Sequence, residues 1–248
     1  MCGIFSLFNY LDHYDVEFIQ DQFVKAKHRG PDNSTIIKEN DNFLGFHRLS
    51  INGIDENSNQ PFNINNITLI CNGEIYNYKQ LYNNINLRPT TNSDCEIIIY
   101  LYEKYGIEYT LNLLDGVFAF VLIDYNINKF FVARDPYGVR PLFKITNNEN
   151  KFIGFASEMK QLVKFVDNEN YNNFKLEQFE PGTYITYSLI ENVWINEENK
   201  RYNTFNLNKI IDQDEEVEIN EIFFFSSIFG IDGFIKNSSL EKLKILSF

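Results

Sequence analysis

A cysteine stands directly after the initiator methionine, and this position could give its thiol an unusual reactivity. Methionine aminopeptidase removes Met1 when the second side chain is small, and cysteine qualifies. Removal would leave a thiol and a free α-amine on Cys2. An α-amino group with a pKa of about 8 can accept the thiol proton directly or through a water, so one residue would hold nucleophile and general base. The alternative is a buried cysteine that starts a strand.

Other residues could assist such a thiolate when it attacks an amide. The attack requires hydrogen-bond donors that stabilise the developing oxyanion. Asn72 and Gly73 end a predicted strand, and an amide NH2 and a backbone N–H adjacent in sequence can converge on one oxygen. Arg48 could bind a carboxylate through two hydrogen bonds, and Asp94 could accept from an ammonium. Taken singly, an Asn-Gly pair is more often a tight turn, Arg48 a surface ion-pair partner, and Asp94 a favourable charge near a helix N-terminus.

The hydrophobic pattern predicts the elements that must position these residues. Helices are expected over 15–27, over 93–105 with Ser93 and Glu96 as a capping box, and over 157–165. Strands are expected over 3–8, 43–51, 67–75, 117–124, 129–134, 142–146, 152–156, 183–189 and 191–195. Many antiparallel hairpins with few helices indicate an α+β fold in which helices pack on sheets.

Composition limits the classes of function. The 248 residues, 44% of them hydrophobic, suffice for one large domain or one domain with a tail. A net charge of −12 argues against binding to nucleic acid or to an anionic membrane. We find no transmembrane segment or signal peptide, and Cys2, Cys71 and Cys95 lack the spacing of a zinc site or disulfide framework. We therefore expect a cytoplasmic protein in which Cys71 and Cys95 are buried strand and helix residues.

Short motifs follow one another along most of the chain. In order they are MCGIF at 1–5, HRGPD at 28–32, HRLSI at 47–51, NGEIYN at 72–77, SDCE at 93–96, LDGVFAF at 114–120, ARDPYGVRPL at 133–142 and FASEMK at 155–160. From residue 2 to about 195 this series resembles the glutaminase domain of class II, N-terminal-nucleophile glutamine amidotransferases. The HRGPD and NGEIYN forms resemble the branch of glutamine-hydrolysing asparagine synthetases.

The resemblance implies a four-layer αββα sandwich that hydrolyses L-glutamine to glutamate and ammonia through a thioester. It also implies roles for individual residues. The implied set is Cys2 as nucleophile, Asn72 and Gly73 as oxyanion hole, Arg48 for the α-carboxylate with Leu49, Ser50, Ile51 and Asn52 lining that pocket, and Glu74 and Asp94 for the α-amino group. This half-reaction is expected to need no metal or organic cofactor.

Other motif residues receive structural interpretations. His28 is expected to shape the loop at the nucleophile or to pair with Asp32, because the terminal amine already serves as base. Arg134, Asp135 and Arg140 are expected to be ion-pair and turn residues, with Gly138 and Pro141 in the same tight turn.

The end of the chain differs in composition. We expect a glutaminase domain over 2–200 and a tail over 201–248 with an acidic run at 212–216 and a Phe-rich stretch at 222–229. The tail lacks the adjacent glycines of a phosphate-binding loop and is too short for a second α/β domain of about 100 residues or more. ATP and Mg²⁺ would matter only if a synthetase domain is supplied elsewhere, for example by a partner chain, and an oligomer is possible.

Two alternatives remain open from the sequence. The chain could be a non-catalytic glutamine-binding or interaction module left from a truncated synthetase. It could also be the glutaminase subunit of another amidotransferase, such as an enzyme of aminosugar or purine synthesis.

Overall fold

The computed structural model describes residues 1–10, 14–39, 42–147, 151–166 and 171–203. Within these ranges the strands form two antiparallel six-stranded sheets. The strands are β1 Gly3–Phe8, β2 Asn33–Glu39, β3 Asn42–Arg48, β4 Phe62–Ile64, β5 Ile67–Ile75, β6 Gly116–Asp124, β7 Lys129–Arg134, β8 Phe143–Asn147, β9 Ile153–Ala156, β10 Phe174–Gln178, β11 Thr183–Ile190 and β12 Val193–Arg201. The first sheet has the order β10-β8-β9-β1-β3-β2, and the second has the order β12-β11-β7-β6-β5-β4.

Helices cover the outer faces of both sheets. They are α1 Val16–Val24, α2 Tyr78–Ile85, α3 Ile97–Tyr105 and α4 Ile107–Leu113. Ile19 and Phe23 of α1 pack with Phe5 against the first sheet, whereas Leu101 of α3 packs with Leu69 against the second. The space between the sheets holds a third cluster that includes Ile4, Phe8, Ile70, Val121 and Phe130. These layers confirm the predicted αββα sandwich.

The alternation of side chains along β1 and β5 decides which residues reach the interior. Successive side chains of a strand point to opposite faces, so residues two apart share a face. Ile4 and Ile70 both lie between the sheets. Cys2 therefore shares the inner face with Ile4, and Asn72 shares it with Ile70.

The predicted helix over 157–165 is wrong, because the structure has two short 3-10 turns there, Met159–Gln161 and Val163–Phe165. Leu162 and Phe165, three residues apart, are both fully buried. That spacing suits a 3-10 turn, in which positions i and i+3 lie above one another. The Gln161 amide also donates to the Phe23 carbonyl oxygen at 3.0 Å, which ties this segment to α1.

The predicted capping box is also wrong, although the helix that follows it is present. Ser93 Oγ accepts from the Cys95 N–H at 3.3 Å, at the start of a 3-10 turn that leads into α3. The fully buried Glu96 carboxylate accepts instead from the N–H of Thr91 at 3.0 Å and from the Tyr82 hydroxyl at 3.0 Å. The carboxylate thus fixes the preceding loop rather than the helix N-terminus.

Residues 204–248, which include the acidic run and the Phe-rich stretch, lie outside the described residues. The longest α-helices in the described part of the chain have nine residues, well short of the ~20 that a membrane span needs. Cys71 in β5 and Cys95 in the 3-10 turn are both buried, as predicted.

Candidate active site

A cavity lies at the end of the sandwich where β1 begins and β5 ends. Its lining includes nine residues predicted from the sequence, namely Cys2, Arg48, Leu49, Ile51, Asn52, Asn72, Gly73, Glu74 and Asp94. Ser50 does not line it; the Ser50 N–H donates to Asp32 Oδ2 at 2.7 Å. The fold thus gathers in one place residues that are up to 92 positions apart, from Cys2 to Asp94.

Cys2 presents its thiol to the backbone of Leu49. The Leu49 N–H donates to Cys2 Sγ at 3.4 Å, and Sγ lies 3.5 Å from the Leu49 carbonyl oxygen. Burial raises the pKa of the Cys2 thiol above its ordinary value, and the hydrogen bond from Leu49 opposes this shift. The thiol is therefore held mainly protonated until a base removes its proton.

Arg29 fixes the backbone of Cys2 from the other side. Its Nε donates to the Cys2 carbonyl oxygen at 2.9 Å, and its guanidinium lies 3.4 Å from Glu158. His28 Nε2 lies 2.9 Å from the same Glu158 carboxylate, whereas Asp32 bonds to Ser50. The predicted pairing of His28 with Asp32 is therefore wrong, because the 3-10 turn at 27–29 directs His28 towards Glu158.

Asn72 carries a buried donor that no described residue satisfies. The residue is 1% exposed, and its Nδ2 has no hydrogen-bond partner among the described residues. Buried polar groups are normally paired, so an unpaired amide in the wall of a cavity indicates a ligand atom. Beside it, a Cβ on Gly73 would lie 2.9 Å from Cys71 Sγ and 2.9 Å from Phe118 Cβ, so the strand has room only for glycine here.

Arg48 is held rigidly but not fully used. Its Nη1 donates to the Asp55 carbonyl oxygen at 2.9 Å and to Asn59 Oδ1 at 2.6 Å. Its buried Nη2 finds no acceptor within the described ranges. The guanidinium can therefore offer at least one further hydrogen bond to an anion in the cavity.

Two carboxylates, those of Asp94 and Glu74, also line the cavity. Asp94 Oδ2 accepts from the Ile75 N–H at 2.6 Å, and burial raises the pKa of the Asp94 carboxyl. Glu74 Oε2 lies 3.8 Å from the guanidinium of Arg140. A cationic ligand group in contact with Asp94 would stabilise the charged form of its carboxylate.

The turn after β7 has the structural role predicted for it. Asp135 accepts from the N–H groups of Tyr137, Val139 and Arg140 at 3.0–3.1 Å, and Gly138 has a φ of +66°. The buried Arg134 donates to the Arg140 carbonyl oxygen at 2.7 Å. The Arg140 side chain goes further than predicted, since it also lines the cavity.

Sequence reasoning gave no site role to several residues of this region, among them Arg29, Gln60 and Arg140. Gln60 and Arg140 line the cavity, and Arg29 contacts Cys2. Arg29 and Arg140 stand inside motifs that were noted, but the patterns do not reveal where a loop side chain points. Gln60 carried no signal beyond its place before Pro61 in a polar loop.

Comparison with known proteins gives a consistent result. A family model described as a glutamine amidotransferase domain matches residues 1–195. A probable glutamine-hydrolysing asparagine synthetase of Acanthamoeba polyphaga mimivirus is 40% identical over 195 residues, which are 76% of this chain and 34% of that protein. The glutamine-hydrolysing asparagine synthetase of Gallus gallus is 40% identical over 193 residues, 74% of this chain and 33% of that protein. This chain therefore spans about a third of the length of the curated relatives it matches.

A solved structure shares the fold at low sequence identity. The glutamine phosphoribosylpyrophosphate amidotransferase of B. subtilis aligns with a TM-score of 0.62 and 20% identity, over 82% of this chain and 50% of that one. This likeness supports the two-sheet architecture.

Proposed function

We propose, from the premise that this chain belongs to the glutamine amidotransferase domain family, that it hydrolyses L-glutamine to glutamate and ammonia in the cavity described above. The observation that carries this proposal is the buried Nδ2 of Asn72, which has no partner among the described residues and lines the same cavity as Cys2. A donor kept dry and unused beside a nucleophile is what stabilisation of an oxyanion requires.

In the proposed reaction the Cys2 thiolate attacks the side-chain amide carbon of glutamine. Removal of Met1 frees the Cys2 α-amine, which accepts the thiol proton and later delivers it to the departing ammonia. The N–H of Leu49, 3.4 Å from Sγ, stabilises the thiolate. Water then hydrolyses the γ-glutamyl thioester, which releases glutamate and restores the thiol.

Stabilisation of the negative charge that develops on the amide oxygen is assigned to Asn72 and Gly73. The Asn72 Nδ2 and the Gly73 N–H are the two donors of this oxyanion hole. Removal of one such donor typically lowers kcat by about 100- to 1,000-fold.

The α-groups of glutamine are assigned to charged residues that line the cavity. The Nη2 of Arg48, which has no acceptor in the described part of the chain, binds the α-carboxylate, with Leu49, Ile51 and Asn52 in the same lining. Asp94 and Glu74 bind the α-ammonium, which offsets the burial that raises the pKa of Asp94.

The use of the ammonia is proposed from the relatives. The relatives named above are glutamine-hydrolysing asparagine synthetases, so the acceptor would be aspartate activated with ATP and Mg²⁺ by a synthetase domain or partner chain. We place this reaction in the cytoplasm. For residues 1–248 themselves, only glutamine hydrolysis is proposed.

Glutamate release by purified protein with Met1 removed tests the proposal, with Cys2→Ala as the control. We expect turnover in the wild type and none in the variant. Glutamine binding without turnover, measured by calorimetry, would favour a non-catalytic binding module instead. Turnover by Cys2→Ala would exclude the proposed nucleophile.

A further inference from the structure

The N–H groups of β5 follow a strict alternation that isolates one donor. Along an antiparallel strand, alternate residues turn their N–H groups to the same edge. The N–H groups of Cys71 and Ile75 point away from β6, because they donate to the side chains of Gln60 and Asp94 at 2.6 Å each. Gly73 lies midway between them, so its N–H points to the same edge.

The neighbouring strand does not take this N–H. Gly73 lies opposite Phe118 of β6, and the Phe118 carbonyl oxygen accepts from the Asp135 N–H at 2.7 Å on its other side. The Gly73 N–H therefore points towards the cavity, flanked on each side by an N–H that a side chain already occupies.

Gln60 acts as a substitute for a missing strand residue. β4 pairs with β5 only over Phe62–Ile64, and Pro61 before it has no N–H to continue the ladder. The Gln60 side chain replaces the missing pair, since its Oε1 accepts from the Cys71 N–H at 2.6 Å and its Nε2 donates to the Cys71 carbonyl oxygen at 3.2 Å. Gln60 is 5% exposed, so water is largely excluded from these bonds.

We infer that Gln60 is a positioning residue for the Gly73 N–H, the backbone donor of the oxyanion hole; this rests on the function proposed above. Loss of the Gln60 amide leaves the buried N–H and carbonyl of Cys71 without partners, and the strand moves to find others. Gly73 is two residues further along the same strand and moves with it. A misplacement of about 1 Å at a reacting group can cost about 100-fold in rate.

The first test replaces Gln60 by methionine, which keeps the length of the side chain and removes both hydrogen bonds. We expect Gln60→Met to lower kcat by about 10- to 100-fold with little change in KM, since Arg48 and Asp94 keep their contacts. Gln161→Met is the matched control, because Gln161 is fully buried and its Nε2 bonds to Phe23 away from the cavity. A folded Gln60→Met protein with wild-type kcat overturns the inference.

The second test uses Gln60→Glu and the pH. The carboxylate can accept from the Cys71 N–H but repels the Cys71 carbonyl oxygen, whereas the protonated acid can donate to that oxygen and restore both bonds. We expect the kcat of Gln60→Glu, divided by that of the wild type at the same pH, to rise as the pH falls. A ratio that is constant from pH 8 to pH 5.5 contradicts the inference.

The third test needs no turnover. Cys2 Sγ adds to the carbonyl carbon of the γ-aldehyde analogue of glutamine and forms a thiohemiacetal. The new C–O⁻ or C–OH group of this adduct occupies the oxyanion hole. We expect Gln60→Met to weaken this adduct by about 10- to 100-fold but to change the Kd of glutamine in a Cys2→Ala background by less than about threefold. Equal changes in both, or in neither, refute the positioning role. Absence of glutamate release by the wild type would instead count against the proposed function.

Discussion

The Nε of Arg29 donates a hydrogen bond to the carbonyl oxygen of Cys2 at 2.9 Å, across 27 positions of sequence. Glu158, two residues after the end of β9, lies 3.4 Å from the same guanidinium. The backbone of the proposed nucleophile is thus fixed by a residue from the turn after α1 and by a carboxylate from a third segment.

We expect Arg29→Lys to lower kcat by about tenfold or more. A lysine ammonium on a flexible stem cannot hold the Cys2 carbonyl and Glu158 together in the fixed geometry of a guanidinium, so Cys2 loses its orientation. Steady-state glutamate release measures the effect. Arg88→Lys, at an exposed position, is the control and should leave kcat unchanged.

The reactivity of Cys2 should depend on whether Met1 is present. Burial raises the pKa of this thiol, and the Leu49 hydrogen bond and the positive charge of the Met1 terminus only partly oppose the shift. In the form that retains Met1, the rate of alkylation by iodoacetamide should therefore still increase above about pH 8.5. Removal of Met1 brings the α-ammonium next to the thiol and should shift the curve to lower pH. Mass spectrometry in a Cys71→Ser, Cys95→Ser background isolates the Cys2 signal. Identical curves for the two forms would contradict the influence assigned to the amine.

Arg48→Met should raise the KM for glutamine by about 10- to 100-fold. The estimate follows from the loss of a hydrogen bond to a charged group, worth about 1.5–3 kcal/mol. With the α-carboxamide of glutamine as substrate the wild type should already show the higher KM, and the variant should add little to it. A full additional loss with the carboxamide would mean that Arg48 does not contact the α-carboxylate.

The stability of the fold should fall as the medium becomes acidic, partly through His47. This fully buried ring stacks on Phe23 at 3.9 Å between centroids, and burial lowers its pKa. The unfolded chain binds a proton near pH 6.5 and the folded chain binds it only at lower pH. The contribution of His47 is therefore complete above about pH 6.5 and is lost as the pH falls through that value towards the lower folded pKa.

Urea unfolding of the wild type and of His47→Gln between pH 7.5 and pH 5 measures this contribution. The free energy of unfolding of the wild type should fall more steeply with decreasing pH than that of the variant. Parallel slopes would show that His47 takes up its proton equally in both states.

Much of the fold follows from the hydrophobic pattern, and the exceptions have physical reasons. β1 and β5 were predicted residue for residue because both are apolar runs buried in the sandwich. β2, Asn33–Glu39, was missed because it is an edge strand with mostly polar, half-exposed residues and no clear alternation. The stretch 157–165 has helical spacing in sequence, but burial of Leu162 and Phe165 against the first sheet selects 3-10 turns.

In the candidate site, too, residues in predicted elements could be recognised from the sequence, whereas residues on loops could not. Cys2, Asn72 and Asp94 stand in or beside predicted elements, so their types and positions could be recognised in advance. Gln60 and Arg140 reach the cavity from loops, and the direction of a loop side chain depends on contacts that form only in the folded chain. Glu96 was predicted to cap a helix because it lies three residues after Ser93. The prediction failed because its hydrogen-bond partners in the loop at 90–91 cannot be deduced from spacing.

The buried donors of Asn72 and Arg48, which have no partner within the described ranges, bear on how this protein would evolve if it no longer bound a ligand. A buried donor without an acceptor destabilises the fold by about 1–3 kcal/mol until a ligand occupies it. Replacement of Asn72 by an apolar side chain would remove that penalty, whereas replacement of Arg48 would also lose the hydrogen bonds of its Nη1 to Asp55 and Asn59. Both donors are present here, and a chain released from selection for ligand binding should lose Asn72 first, before its core changes.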